Sequence, residues 1–350
     1  MSSLSASAER ATRKAAAGHA ALRYHPEPMF FTADGSSLAC TLCPHNCTIP
    51  EGGFGRCGVR GNRQGEPFLP YAGKATALAV DPVEKKPLYH VHPGTSLYSI
   101  GFLGCPLHCP FCQNFRISQS TRAATRDITP QEAVDAAREA GCAGIAYTYN
   151  EPVIHIEFVL ETAQRAQEAG LVNTLVTSGQ INPKPARRLF CSMDAANIDL
   201  KSFQPEFYRN ALGGHLDSVK EAIRIAVECC RLEVTTLVIP GKNDSDEEID
   251  AMARFLADLD PTIAYHLSAY FPSYRYEDAP TPPATLLRLA EVARAHLPFV
   301  YLGNMAHDNN TYCHQCGELW ITRHGYHTAV TGIEHGKCTK CGVDAPITGV

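Results

Sequence analysis

The chain has 350 residues, of which 45% are hydrophobic and 19% are charged, and its formal net charge is -5 at pH 7. The acidic balance and the lack of a long basic run argue against a protein that binds nucleic acid mainly by electrostatics. No apolar stretch approaches the ~20 residues that cross a bilayer, so we expect no membrane-spanning segment.

Residues 1–30 are predicted to form an N-terminal extension rich in Ala, Ser and Arg, without the apolar core of a secretory signal. In a chain without such a signal, fifteen cysteines favour metal binding over disulfides, because the cytoplasm is reducing. We therefore expect a cytoplasmic, metal-binding protein. Eleven cysteines fall into three tight groups. The other four lie in apolar or helical surroundings and are expected to be inert buried thiols: Cys142, Cys191, Cys229 and Cys230.

Residues 31–96 form a region rich in Gly, Pro and Cys with little helical pattern, predicted to be a Cys-rich metal-binding region. Four thiolates within 18 residues, from Cys40, Cys43, Cys47 and Cys57, make a closed set of metal ligands. A structural zinc site and an auxiliary iron–sulfur cluster both fit this set, and the spacing does not choose between them.

Residues 97–304 alternate short β-rich runs with amphipathic helices, which predicts parallel strands with crossover helices. The strands are expected at 97–103, 144–149, 172–177, 195–200, 233–239, 264–268 and 299–302. The helices are expected at 129–141, 153–169, 183–191, 215–230, from 245 onward and at 283–296. About six βα units in roughly 200 residues are fewer than a full eight-unit barrel of ~250 residues contains. We therefore predict an α/β fold with an incomplete (β/α)6-type barrel.

The strongest chemical signal follows the first of these strands, where Cys105-x3-Cys109-x2-Cys112 places three thiolates on one loop. Three thiolates ligate three irons of a 4Fe–4S cluster and leave the fourth open, whereas ordinary electron-transfer clusters use four cysteines. The alternatives are a ferredoxin-type cluster and a zinc knuckle. Zinc would need a fourth ligand, and His108 would have to share a cramped loop.

Polar residues also follow several predicted strands, at the end where βα folds build their sites. They are Glu151, Ser178, Asp199 and Lys201, with His266 inside the sixth strand. Asp199 and Lys201 point to the same side of an extended chain, so they can meet one ligand. Four of these residues also have a structural alternative: a helix N-terminal carboxylate for Glu151, a plain salt bridge for Asp199 and Lys201, and a satisfied core histidine for His266.

Residues 305–350 again carry Cys, Gly and His with short β-like segments. Two Cys-x2-Cys knuckles, Cys313 with Cys316 and Cys338 with Cys341, predict a zinc-ribbon-like module with a closed structural zinc site. Rubredoxin-like iron is the alternative.

The central triplet, with Phe111 before its last cysteine, resembles the motif of the radical S-adenosylmethionine (SAM) superfamily. With Gln113-Asn114 after it and the stretch Asp81-Pro82-Val83-Glu84-Lys85-Lys86-Pro87-Leu88 before it, the chain resembles the AmmeMemoRadiSam system enzymes, which are related to pyruvate formate-lyase activating enzymes. The resemblance implies a 4Fe–4S cluster whose open iron binds SAM. It also implies reductive cleavage of SAM to methionine and a 5′-deoxyadenosyl radical, which abstracts hydrogen from an unidentified small-molecule or protein substrate. A one-electron donor of flavodoxin or ferredoxin type is expected as a partner.

The same resemblance implies roles for single residues. Glu151 is expected to meet the SAM ammonium, although Tyr149-Asn150 stands where the family has two glycines. Asp199 helps hold a monovalent cation in the relatives, while Lys201 and His266 are expected to reach SAM.

Three alternatives remain at this point. An activating enzyme would generate a glycyl radical on a partner protein. A non-enzymatic multi-metal scaffold or electron carrier would bind metal but cleave no SAM. A zinc-ribbon protein that binds nucleic acid fits the acidic balance poorly.

Overall fold

A computed structural model describes residues 24–350, so most of the N-terminal extension expected over 1–30 lies outside the described residues. The central element is an eight-stranded sheet. In chain order its strands are β1 (Ala77–Pro82), β2 (Ser96–Gly101), β3 (Gly144–Tyr147), β4 (Val172–Thr177), β5 (Ala195–Asp199), β6 (Arg231–Val238), β7 (Ala264–Ala269) and β8 (Val300–Gly303).

The spatial order of the strands follows the chain from β1 to β8, and every neighbouring pair from β2 to β8 is parallel. Only β1 is antiparallel, paired with β2 at one edge. All four residues of β3 are buried, as expected for a parallel sheet covered on both faces. The predicted parallel α/β arrangement is therefore confirmed, while β1 has no counterpart among the predicted strands.

Six helices connect the strands. They are α1 (Pro130–Glu139), α2 (Ile156–Glu168), α3 (Pro183–Phe190), α4 (Leu216–Cys229), α5 (Asp246–Leu259) and α6 (Pro283–Arg294). Each lies within a few residues of its predicted position. Shorter helical turns occupy Val83–Lys85, Phe115–Ser118, Pro152–His155, Pro205–Phe207 and Tyr208–Leu212.

Two helix starts show how the sequence sets these boundaries. Thr129 accepts a hydrogen bond from the backbone of Glu132, whose carboxylate returns one to the Thr129 backbone, which is a complete capping box. Ser245 likewise caps α5 through the backbone N–H of Glu248. The carboxylate of Glu248 does not complete that second box, because it accepts hydrogen bonds from Ser202 Oγ (2.6 Å) and the backbone N–H of Phe203 (2.7 Å).

Small sheets lie on either side of the central sheet in sequence. Before it are Phe31–Asp34, Ser37–Cys40 and Thr48–Ile49 in one sheet, and Gly61–Arg63 with Glu66–Phe68 in another. Lys74–Ala75 pairs with Arg126–Asp127. After it are Thr311–Tyr312, Leu319–His324 and His327–Val330 in one sheet, and Ile333–Glu334 with Lys337–Cys338 in another.

The structure corrects one expectation about the isolated cysteines. Cys191, at the end of α3, forms a disulfide with Cys229, the last residue of α4. Packing of these two helices against one another brings both cysteines together, which their separation of 38 residues in sequence does not reveal. Cys142 and Cys230 are free thiols, as expected.

The amino-terminal half of the sheet is closed by a buried polar network centred on Glu233 of β6. Its carboxylate accepts hydrogen bonds from the backbone N–H groups of Tyr89 (3.0 Å) and His90 (2.7 Å), and it pairs with His266 Nε2 at 2.6 Å. Arg323, from the C-terminal region, donates to Tyr89 O (2.7 Å) and stacks on the Tyr89 ring. Glu233 and His266 are therefore partnered inside the fold, away from the carboxyl ends of the strands.

Candidate active site

A cavity of about 480 Å³ lies at the carboxyl ends of the central strands, within the size range of small-molecule sites. Seven of the residues that the sequence predicted to bind metal or SAM line this one cavity. They are Cys105, Cys109, Cys112, Glu151, Ser178, Asp199 and Lys201. The loops after β2, β3, β4 and β5 supply them, as expected where parallel strands end side by side.

The cysteine loop is held tightly by its neighbours. Gly104 has a φ of 81°, and a Cβ on it would lie 2.4 Å from the carbonyl oxygen of Cys57, so a larger residue cannot replace it without a shift of the loop. Its N–H donates to Ile117 O (2.8 Å), which closes the loop onto the short helix that follows.

The three thiols fit a 4Fe–4S cluster with one open iron. All three line the cavity, and no fourth cysteine of the described chain does so. His108 is exposed, and its Nδ1 lies 2.7 Å from Gln119 Oε1, so it does not complete a zinc knuckle. Burial raises the pKa of the Cys109 thiol to about 12 and that of Cys105 well above its ordinary value. Metal binding therefore has to displace protons from these sulfurs.

Glu151 is a buried carboxylate with four hydrogen-bond donors but no cationic partner in residues 24–350. Its oxygens accept from Thr177 Oγ1 (2.6 Å), Ser178 Oγ (2.5 Å), and the backbone N–H groups of Ser178 (2.9 Å) and Val153 (3.2 Å). The contact with Val153 is the predicted helix-capping contact. Burial nevertheless raises the pKa of Glu151, because these donors only partly offset the cost of a buried charge.

The two residues before Glu151 show how this chain replaces glycine. Tyr149 has a φ of 72°, in the left-handed region that favours glycine, so it keeps the backbone shape despite its side chain. Its hydroxyl donates to Asp81, and its ring lies under Lys86 Nζ, 4.4 Å from the ring centre. Asn150 joins this turn to the cysteine loop, since it accepts from Phe102 N (3.0 Å) and donates to Gly104 O (2.7 Å).

Asp199 and Lys201 point to the same side, as the sequence predicted, and their Oδ2 and Nζ atoms are 2.7 Å apart. Burial alone would lower the pKa of Lys201, but Asp199 and the nearby Cys109 raise it, so the ammonium stays charged. Asn243 supports this strand end by donating to Lys201 O (2.7 Å) and accepting from Ile239 N (2.7 Å). The Pro240–Asp244 loop is thus a structural turn.

His266 is the one predicted site residue that the structure does not bring into the cavity. Its ring pairs with Glu233 and packs edge-on against Tyr89, with ring centres 4.8 Å apart. This position corresponds to the satisfied core histidine that was the alternative. The side chain of Ser268, two residues further along β7, lines the cavity in its place.

Lys85 and Lys86 line the cavity although they were not predicted as site residues. Both pair with Asp81 at 2.6 Å, and with Tyr149 they hold the pKa of that carboxyl well below its usual range although burial opposes this. The signal was present in the Asp81–Leu88 stretch that carries the family resemblance. The sequence does not reveal that β1 runs antiparallel to β2 or that the lysines of the turn after β1 line the cavity.

The C-terminal cysteines form a second, closed site. The sulfurs of Cys313, Cys316, Cys338 and Cys341 all lie within 4.8 Å of one another. Cys313 is 3.6 Å from Cys341, and Cys316 is 3.7 Å from Cys338. The predicted four-cysteine metal site near the C-terminus is therefore present in the fold.

Comparison with known proteins agrees with this geometry. The family profile described as the radical SAM superfamily matches residues 99–256. An uncharacterized protein of Methanocaldococcus jannaschii is 36% identical over 327 residues, which cover 90% of this chain and 97% of that protein. The indoleacetate decarboxylase activating enzyme of Tractidigestivibacter scatoligenes is 26% identical over 44% of this chain. This chain matches only 53% of that enzyme's length. Streptococcus suis SuiB bound to S-adenosylmethionine aligns with 62% of this chain and 50% of its own, at 14% identity and a TM-score of 0.48.

The chain belongs to the radical SAM superfamily, and it is an enzyme with relatives among the activating enzymes of glycyl-radical systems. Membership implies a 4Fe–4S cluster and SAM, which agrees with the three-thiol cavity. It sets aside the purely structural metal scaffold. Within residues 24–350, no helix combines the length and apolar character needed to cross a bilayer.

Proposed function

We propose that this chain binds SAM in the 480 Å³ cavity and directs its reductive cleavage toward hydrogen abstraction from a substrate held there. The observation that carries the proposal is that three cysteines without a fourth share a cavity with a buried carboxylate that lacks a cation. SAM offers a partner to both, since its amino and carboxylate groups complete an open iron and the N–H groups of the same amino group can donate to the buried carboxylate.

The side chains divide this work between them. Glu151 accepts hydrogen bonds from the SAM amino group, and the hydroxyl groups of Ser178 and Thr177 hold the Glu151 carboxylate in place. Lys201 neutralises a carboxylate of the ligand, and Asp199 keeps the ammonium of Lys201 charged and oriented. Cys105, Cys109 and Cys112 hold the 4Fe–4S cluster, which when bound supplies the electron for cleavage to methionine and a 5′-deoxyadenosyl radical.

Within the superfamily we assign the chain to the AmmeMemoRadiSam branch, with a partial (β/α)6-type barrel. The assignment is supported by Lys85 and Lys86, which belong to the Asp81–Leu88 stretch that carries the resemblance and line the cavity. The chain also matches the M. jannaschii protein along nearly its whole length, whereas the activating enzymes match it only in part.

The remaining assignments rest on the same reasoning. The C-terminal cysteines hold structural zinc, because their sulfur spacing suits one tetrahedral ion. The enzyme works in the cytoplasm with a one-electron donor of flavodoxin or ferredoxin type, on a small-molecule or protein substrate. We propose neither a nucleic-acid nor a membrane partner.

A second candidate is an activase that forms a glycyl radical on a partner protein. The named activating enzymes among the relatives favour it. An activase would produce a glycyl radical EPR signal when mixed with its partner enzyme, whereas the AmmeMemoRadiSam assignment expects none.

The test of the proposed function is anaerobic. The protein is reconstituted with iron and sulfide, mixed with SAM and a strong one-electron reductant, and assayed for 5′-deoxyadenosine by mass spectrometry. We expect this product from the wild type and none from a variant with Cys105, Cys109 and Cys112 all changed to Ala. A fully loaded wild-type cluster that gives no product and no change in its EPR signal on addition of SAM would refute the proposal.

A further inference from the structure

The two outer cysteine groups have different geometry. The four C-terminal sulfurs approach to 3.6 and 3.7 Å. A tetrahedral zinc with Zn–S bonds of about 2.3 Å places its sulfurs about 3.8 Å apart, which matches them. Among His, Cys, Asp and Glu from residue 24 onward, this is the only set of three or more whose ligand atoms all lie within 4.8 Å of one another. No three sulfurs of the N-terminal group meet that distance.

The N-terminal cysteines are nevertheless gathered around one point. The backbone N–H of Cys40 donates to Cys47 O (2.9 Å), and Cys43 lies within electrostatic range of the thiols of Cys40, Cys47 and Cys57. No disulfide joins any of the four. The four cysteines therefore form one group, but their sulfurs are farther apart than the ligands of a single metal ion.

A backbone N–H group is hydrogen-bonded to one of these sulfurs. Arg56 N–H donates to the sulfur of Cys47 at 3.4 Å. Such bonds stabilise thiolates and tune iron–sulfur clusters.

A buried positive charge lies beside the same group. The guanidinium of Arg60 is paired with Glu157, acts electrostatically on Cys40 and Cys57, and has an Nε without a hydrogen-bond partner. Glu157 already balances the charge of Arg60, but the unpartnered Nε–H remains a hydrogen-bond donor beside this group.

We propose that Cys40, Cys43, Cys47 and Cys57 hold a polynuclear iron–sulfur cluster and not a single zinc ion. Thiolates bound to different irons of a cluster lie farther apart than thiolates on one ion, so the wider spacing of this group suits several metal atoms. The hydrogen bond to the Cys47 sulfur and the unpartnered Nε–H of Arg60 suit such a cluster as well.

The cluster would lie directly beside the central cysteine loop. Cys57 and Cys105 line one cavity of about 540 Å³, and the carbonyl of Cys57 packs on Gly104. Arg56 Nε donates to Pro106 O at 3.1 Å, which fastens the two loops together. Resting here on the proposed function, we infer that one electron from a flavodoxin- or ferredoxin-type donor passes through this cluster to the central one.

The first test needs no variant. Wild-type protein, produced with ample iron, sulfide and zinc and kept anaerobic, is analysed for all three elements. We expect about one zinc per chain, since the C-terminal site alone takes zinc, together with more iron than a single 4Fe–4S cluster contains. About two zinc per chain with four or fewer iron atoms would overturn the proposal.

The second test separates the clusters. With Cys105, Cys109 and Cys112 all changed to Ala, we expect about one third to one half of the wild-type iron to remain, depending on whether the cluster has two or four irons. Its EPR signal after reduction should be insensitive to SAM. Loss of all iron from this variant while it stays folded would contradict the proposal.

The matched variant with Cys40, Cys43, Cys47 and Cys57 changed to Ala should lose that signal and keep one that responds to SAM. If the wild-type protein ignores SAM but the triple variant still holds iron, the proposed function fails and the second cluster stands.

Discussion

Glu151 and Glu233 are both fully buried carboxylates of the central sheet, but they lie toward opposite ends of its strands and have opposite partners. Burial alone would raise the pKa of Glu233, in the amino-terminal half, but its contacts with His266, His90 and the backbone of Tyr89 lower it. Glu151, just beyond the carboxyl end of β3, has only neutral donors, and burial raises its pKa. The same side chain is therefore satisfied at one end of the sheet and lacks a counter-charge at the other.

This difference suggests a structural role for Glu233 and a ligand-binding role for Glu151. A buried charge with a complete set of partners stabilises the fold, whereas a buried charge without a cation is costly and persists where a ligand supplies that cation. Each of the following variants is expected to affect one end of the sheet and spare the other.

The largest effect is expected for Cys109→Ala at the carboxyl end. Removing one of three thiolates should abolish the central cluster and lower SAM cleavage below detection, while the Glu233 network and the fold remain. The measurement is 5′-deoxyadenosine formation after anaerobic reconstitution. Cys142→Ala, which removes a buried free thiol outside the three groups, is the matched control and should keep full cleavage. Cleavage at wild-type rates in Cys109→Ala would refute the role of the triplet.

Glu233→Gln should affect stability and not chemistry. Breaking a buried pair by removing one partner costs about 3–5 kcal/mol, so the midpoint of urea unfolding should fall strongly. SAM binding by the folded fraction should not change. Glu277→Gln, at an exposed position, is the control.

The pH dependence has a defined sign. The pKa of Glu233 is lower in the folded chain than its ordinary 4.5, so its ionised form stabilises the fold above pH 4.5 and this stability is lost as the pH falls below that value. The stability difference between wild type and Glu233→Gln should therefore shrink in acid. A constant difference from pH 7 to pH 3 would contradict the ion-pair interpretation.

Glu151→Gln should weaken SAM binding and leave the stability of the fold intact, the opposite of Glu233→Gln. Loss of a charge-assisted contact of about 1.5–3 kcal/mol should weaken SAM binding by roughly 10- to 150-fold in equilibrium binding measurements. The ligand-free protein should be no less stable and should gain relative to wild type as the pH rises. The pKa of Glu151 is raised in the fold, so its favourable neutral state is present below pH 4.5 and is lost as the pH rises through the folded value. Unchanged SAM affinity in Glu151→Gln would show that Glu151 only caps the helical turn that follows it.

Much of this arrangement follows from local pattern. Alternating strands and helices predicted the parallel sheet, and cysteine spacing identified the loop that lines the cavity, because both depend on short stretches of sequence. Long-range pairing was not accessible in this way. The sequence could not show that β1 joins the sheet antiparallel, that Cys191 meets Cys229, or that His266 turns to Glu233. These contacts depend on how the elements pack in three dimensions, which short stretches of sequence do not encode.

The smallest expected effect concerns backbone strain at Tyr149, at the carboxyl end of the sheet. At a φ of 72° an L-residue is strained, whereas glycine is not. Both Tyr149→Ala and Tyr149→Gly remove the ring under Lys86 and the hydroxyl bonded to Asp81, so they differ only in the Cβ. We expect the Gly variant to be the more stable of the two by about 1 kcal/mol, measured by urea unfolding. In ordinary helix and strand positions Ala is the more stable by about 0.5–1 kcal/mol. A Gly variant more stable than the Ala variant would therefore establish that the backbone at Tyr149 stays in the left-handed region. An Ala variant more stable than the Gly variant would show that the turn relaxes.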